Sequence, residues 1–128
     1  MKTQEHENKN AYKEKLKIKM DKYVHFVYTA TKSFPKEELY GVTSQFRRAS
    51  LSIILNYIEG YARKKPAVQL NFFEISYGSL KESKYLLYFS LKEGFVSEEN
   101  YKIGLKMAEE IGAMLWTEIN NLEKGVKH

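Results

Sequence analysis

The sequence predicts an all-α fold, an antiparallel up-down-up-down four-helix bundle. Apolar residues recur at steps of three and four through four long segments. Pro35 and Pro66, the only prolines, sit where that period breaks, and no stretch of useful length alternates like a strand. The connections between segments are short, which suits antiparallel neighbours in a bundle.

The first segment runs from about Ala11 to Ser33, with Leu16, Met20, Tyr23, Val27, Ala30 and Phe34 on one stripe. "FPKEELYGVT" stops it, because a proline disfavours helix at the preceding Phe34 and Gly41 marks a turn. The second helix is expected from an N-cap at Thr43 to near Arg63, on the stripe Phe46, Ala49, Ile53, Tyr57, Gly60. The third opens at Pro66, which a first turn tolerates, and reaches about Leu91 through Leu70, Phe73, Tyr77, Leu80, Lys84 and Leu87. "KEGFVS" is the next break. Ser97 then caps a fourth helix carrying Glu98 and Glu99 in its first turn. Its stripe is Tyr101, Leu105, Ala108, Ile111 or Gly112, Leu115, Ile119 and Leu122. Residues 11–123 form the expected domain, with flexible tails over 1–10 and 124–128.

At 128 residues the chain has the length of one domain with a core of its own. It has no cysteine, which excludes a disulfide scaffold, a thiolate zinc site and a cysteine nucleophile. The polar N-terminus lacks the apolar core of a signal peptide, and no run is apolar for long enough to cross a bilayer. The expected location is the cytoplasm.

Helices two and three carry more apolar surface than one stripe. Beside its main stripe helix two has Leu51, Ile54, Leu55, Ile58 and Tyr61. Helix three adds Phe72, Ile75, Tyr85, Tyr88 and Phe89, and a row rich in serine suited to close helix approach: Phe72, Ser76, Ser79, Ser83, Leu86, Ser90. A helix apolar on most sides is buried on most sides, so a homo-oligomer is expected, with these helices near its interface. One polar line remains on helix two: Arg48, Ser52, Asn56, Glu59 and Arg63. Asn56 and Glu59 are expected to satisfy buried backbone or arginine donors. Gly60 admits a close neighbour, and Arg47, one position round, is a candidate for a phosphate or an inter-subunit carboxylate.

Little here suits catalysis. Of the three histidines, His6 and His128 fall in the tails, and His25 reads as a surface or packed residue. There is no Glu-x-x-His pair, no zinc motif, no phosphate loop and no dinucleotide fingerprint. Asp21 is the only aspartate, which leaves no material for a serine triad. Glu59 and Glu82 are candidates for partly buried carboxylates, each paired with an arginine or an amide. No enzyme activity, metal or cofactor is expected.

The net charge of +5 favours polyanion partners. Lys13, Lys15, Lys17, Lys19 and Lys22 crowd the first helix, and Arg63, Lys64 and Lys65 follow the second. These residues, with Arg47, are either a nucleic-acid-binding surface or a solvated one. The tyrosines sit at core spacings more than as platforms for base stacking.

"YGVTSQFRRASLSIILNYIEGYARK", with "NFFEISYGSLKES" after it, resembles the 23S ribosomal RNA intervening-sequence proteins, a family related to the accessory protein of diversity-generating retroelements. The likeness rests on Tyr40, Gly41, Thr43, Gln45, Arg47, Arg48, Ala49, Ser52, Ile53, Asn56, Glu59 and Gly60, then Phe73, Gly78, Ser79 and Glu82. It covers roughly residues 20–122. The chain departs where the family commonly has Pro-Ala before the asparagine and Ile-Ala after it; here stand Ile54, Leu55, Tyr57 and Ile58. Tyr77 replaces a usual small residue before Gly78. The resemblance implies a four-helix bundle, a homopentamer, no established enzyme activity, and binding of structured RNA or DNA. The alternative is a scaffold docking a protein partner, such as the reverse transcriptase of the retroelement relatives, without direct nucleic-acid binding. Gly78, Ser79 and Glu82 join Arg48, Ser52, Asn56, Glu59 and Gly60 as the expected polar seam.

Overall fold

Four helices, with one short irregular turn, make up the computed structural model, which describes residues 3–126. Helix α1 spans Gln4–Thr31, α2 Ser44–Tyr61, α3 Pro66–Lys92 and α4 Glu98–Val126. Each packs on its neighbours in sequence, and α4 closes the ring against α1. The register of contacts makes every neighbouring pair antiparallel. On α1 and α2, Thr31 meets Arg47 and Lys13 meets Tyr61. On α2 and α3, Ser52 meets Ser79 and Gly60 meets Gln69. On α3 and α4, Tyr77 meets Trp116 while Leu87 lies beside Gly104. On α1 and α4, Tyr12 meets Met114 and Lys19 meets Glu110.

α1 starts well before the apolar stripe does. Thr3 Oγ1 accepts from the His6 amide at 3.1 Å, and Glu5 and Glu7 favour the positive helix end. Residues 4–10, expected in a tail, are therefore helical, as are 124–126 at the other terminus. Residues 1–2 and 127–128 of the expected tails, with His128, lie outside the described residues.

Thr43 does not cap α2. The chain leaves a short 3-10 turn at Lys36–Glu38 and winds through Leu39–Thr43 as a wide turn kinked at Gly41. Thr43 is already helical (φ −58°, ψ −54°), makes no side-chain cap hydrogen bond and is buried. A residue inside a continuing turn has no free amide ahead of it to cap.

Pro66 occupies the first turn of α3. That helix ends in a Schellman motif. Gly94 takes φ +77°, its amide donates to Leu91 O at 3.0 Å, and the Phe95 amide donates to Ser90 O at 2.8 Å. Ser97 Oγ then accepts from the Asn100 amide at 3.1 Å and opens α4.

The core runs the length of the bundle. Leu16, Met20, Tyr23, Phe46, Ile53, Tyr57, Phe73, Leu80, Leu87, Ile111 and Leu115 are essentially inaccessible. The serines of α3 are buried here too. Ser76 Oγ donates to Ile53 O at 2.6 Å, and Ser90 Oγ to Leu86 O at 2.7 Å. Ser83 Oγ lies 3.0 Å from the Tyr23 hydroxyl, across the bundle's diagonal. Burial pushes that phenol up to about 12. Among the described residues no buried polar side-chain atom lacks a partner, as a packed interior requires.

Candidate functional site

The helical period divides the lysines of α1 between two faces. Lys15, Lys19 and Lys22, at steps of four and three, share the side toward α4. Lys19 Nζ lies 3.0 Å from Glu110 Oε2. That hydrogen bond and charge, with the fields of Lys106 and Lys15, hold the Glu110 carboxyl below the usual carboxylate range. Lys15, Lys19 and Lys106 thus surround a single acid, and Lys22 continues the row. Lys13 and Lys17 turn toward α2. Lys17 pairs with Glu14 at 3.3 Å, and Lys13 Nζ sits 4.7 Å from the centre of the Tyr61 ring. Lys64 and Lys65 are exposed at the α2–α3 turn, near that same end. Arg63, beside them, is engaged by Glu59 and stacks 5.3 Å over Phe72.

Arg47 lies at the far end of α2, about 24 Å of helix from Arg63. Its Nε donates to Thr31 Oγ1 at 2.8 Å and its guanidinium lies 4.7 Å over the Tyr28 ring. It is half-buried and ties α2 to α1, so it is held away from the lysine faces.

The polar line on α2 is in part a structural seam. Ser52 Oγ and Ser79 Oγ are 2.7 Å apart, and Asn56 Nδ2 donates to Ser52 Oγ and Ser52 O, both at 2.9 Å. Asn56 thus serves acceptors, a backbone carbonyl among them, and not the backbone or arginine donor expected of it. Glu59 is bound to Arg63 near the surface. Gly60 is buried against Phe73. Arg48, Gly78 and Glu82 do not join the seam. All are exposed, and a β-carbon on Gly78 would meet nothing within 4 Å. The period of the helix carries them past the α2–α3 contact to the outside. Of the two candidates for a partly buried carboxylate, Glu59 is half-buried and paired with an arginine, as expected, and Glu82 is exposed.

A further half-buried carboxylate, one not singled out from sequence, is Glu118. The Tyr57 and Tyr61 hydroxyls each donate to one of its oxygens. Burial pushes its pKa up, opposed by the tyrosine donors and by the charge of Lys13. Both phenols are also raised, first by burial and then by the carboxylate. Beside it opens a cavity of about 440 Å³ walled by Tyr12, Tyr61, Phe73 and Glu118. Tyr57 on the main stripe of α2, with Tyr61 four positions on, was the available signal, since a buried phenol needs an acceptor. Among the described residues no His, Asp or Glu group is placed to hold a metal ion.

Several aromatics off the core stripes face outward. Trp116 is 51% exposed, Tyr88 44% and Tyr85 62%. Tyr23 and Tyr57, on the expected core stripes, are buried, and Tyr85 and Tyr88, read from sequence as lying off the main stripe of α3, are exposed. A second outward apolar face joins α2 and α3. There Leu55, Ile58, Val68 and Ile75 are exposed. No helix among the described residues is long and apolar enough to cross a membrane.

A solved structure, a protein of unknown function from the S23 ribosomal protein family of Bacteroides thetaiotaomicron VPI-5482, superposes with a TM-score of 0.73 at 20% identity. The match covers 81% of this chain and 97% of that one, and at this identity it speaks for the fold. Comparison with curated proteins yields no match. The family model of the 23S rRNA-intervening sequence protein matches residues 13–117, which takes in the lysine rows, the Ser52–Asn56–Ser79 seam and most of all four helices. On that span, this chain belongs to the 23S rRNA-intervening sequence protein family.

Proposed function

We propose that this protein acts by binding, not catalysis, as an oligomer that holds structured RNA or DNA by its phosphate backbone. The observation that carries the reading is the α1–α4 surface. Lys15, Lys19, Lys22 and Lys106 gather there around Glu110, while Lys15 and Lys22 make no ion pair of their own among the described residues. Free ammonium groups in a row offer contacts to successive phosphates, and neutralising them releases counterions. Self-association through the exposed apolar face of α2 and α3 would repeat the row and add its contacts together. A homopentamer is the assembly that the family likeness suggests.

Gel shifts with structured RNA and duplex DNA at low salt test this. Affinity should fall steeply as salt rises, with a slope of about −0.9 per phosphate contact on duplex DNA. Glutamine at Lys15, Lys22 and Lys106 together should flatten that slope. No shift at tens of micromolar protein would defeat the reading. The same apolar face favours a second reading, a scaffold that docks a protein partner. Pull-downs that keep their partner after nuclease treatment would support the scaffold instead.

A further inference from the structure

We propose that the groove between α3 and α4 is a stacking platform for unpaired bases of single-stranded nucleic acid. This rests on the nucleic-acid reading above and adds a second surface with a different task. Tyr77, Lys81, Lys84, Tyr88 and Lys92 follow one another on α3 at steps of four, three, four and four, so they share one face. Two tyrosines and three lysines make it up, Lys81 and Lys84 between the two rings and Lys92 beyond. Lys81 Nζ lies 5.4 Å from the Tyr77 ring centre, and Lys92 Nζ lies 5.5 Å from that of Tyr88. From Tyr77 to Tyr88 the strip extends about 16 Å along the helix axis. Across from it, Trp116 of α4 tilts 44° to the Tyr77 ring with centres 5.4 Å apart.

Tyr77 and Trp116 wall a cavity of about 260 Å³ whose other walls include Lys81, Lys84 and Glu109. The half-exposed indole contributes little to the core, so its apolar face is available to a ligand. A base has a π-face to lay on it, and lysines beside the ring meet the phosphates on either side. Among the described residues Glu109 is the one acid of this cavity, and it repels phosphate but accepts from the N–H groups of a base edge. The polarity therefore places bases inward and phosphates along Lys81 and Lys84. A duplex keeps its bases stacked on each other, so the groove selects unpaired nucleotides.

Trp116 is the only tryptophan in the chain, which makes its fluorescence a direct probe of the groove. The full chain is titrated with a short labelled single-stranded RNA at low salt, and with its duplex. Indole emission and label anisotropy are followed together. Single-stranded RNA should quench the emission as it binds. Trp116→Ala and Tyr77→Ala should each weaken binding by about fivefold or more. Trp116→Phe, which keeps a π-face, should recover most of the affinity, and circular dichroism checks that every variant keeps its helices. Quenching in the unsubstituted chain reads the site even if a variant unfolds. Binding with no quench, and with unchanged affinity in the variants, would overturn the stacking platform and leave the lysine surface standing. Absence of binding to either RNA at tens of micromolar would overturn both.

Discussion

A β-carbon on Gly60 would lie 2.6 Å from Cε1 of Phe73. Replacing a helical glycine by alanine ordinarily stabilises, by about 0.5–1 kcal/mol. Here the contact reverses the sign. The Phe73 ring is 2% exposed and is held between Tyr57 and Tyr61, with ring centres at 5.2 Å from each. The Gln69 carbonyl stands 3.3 Å from the same point, so α3 cannot close up. Gly60→Ala should cost about 1–3 kcal/mol, as overpacking does. Urea unfolding checks it, and a variant as stable as the parent would show that the ring can yield.

Ser52 and Ser79 test the seam between α2 and α3. Their hydroxyls are 2.7 Å apart, and Asn56 closes the network onto Ser52. In a double-mutant cycle with alanine, the coupling between the two serines should be about 0.5–1.5 kcal/mol. A coupling near zero would mean that each serine is satisfied without the other.

How much of this was legible follows from what each residue's signal is. Four helices and their antiparallel order follow from period and punctuation, which are local. So does the pairing of Ser52 with Asn56, four apart on one helix. Thr43 misleads because its cap chemistry is present but the chain is already winding through Leu39–Thr43. Glu59, like the Ser52–Asn56 pair, was legible locally: it is half-buried and pairs with Arg63, four positions on. Glu118 and Trp116 are set by partners on α2 and α3, far off in sequence, and no spacing on α4 reveals them. Glu59→Ala is therefore expected to cost no more than about 0.5 kcal/mol, as for a surface i,i+4 pair. A collapse of the melting temperature would mean that Glu59 holds more of the fold than its pair with Arg63.

Glu118 makes stability depend on pH. The folded state raises its pKa above the ordinary 4.5, so the native chain holds this proton more tightly than the unfolded one. This group's contribution to stability therefore falls as pH rises through 4.5 and on through the folded value, and recovers on acidification. Glu118→Gln keeps an acceptor for a tyrosine hydroxyl and removes the charge. It should melt at or above the parent at pH 7, with the gap closing as pH drops through the carboxylate range. Glu118→Ala, which strands the buried Tyr57 hydroxyl, should lose about 1–3 kcal/mol. A Gln variant that loses as much as the Ala variant would mean that the ionised carboxylate stabilises the fold.

The outward face of α2 and α3 predicts assembly. Leu51, Leu55 and Ile58, at steps of four and three, leave one side of α2. Leu55 is 58% exposed and Ile75 on α3 is 43% exposed. The serine row, read as suited to close helix approach, makes that approach inside the bundle, on contacts such as Ser76 with Ile53. The apolar side chains beside it are not. A contiguous apolar face rimmed by polar residues marks an association site, and Arg48, Glu59 and Glu82 provide polar neighbours here. Light scattering at micromolar concentration should give a mass well above one chain. Leu55→Glu with Ile75→Glu should lower it to that of the monomer while circular dichroism keeps the helices, because both side chains lie outside the core. If the substitutions leave a multimer intact, assembly uses another face. A monomeric parent would remove assembly altogether, and the lysine row would then have to bind as a single copy.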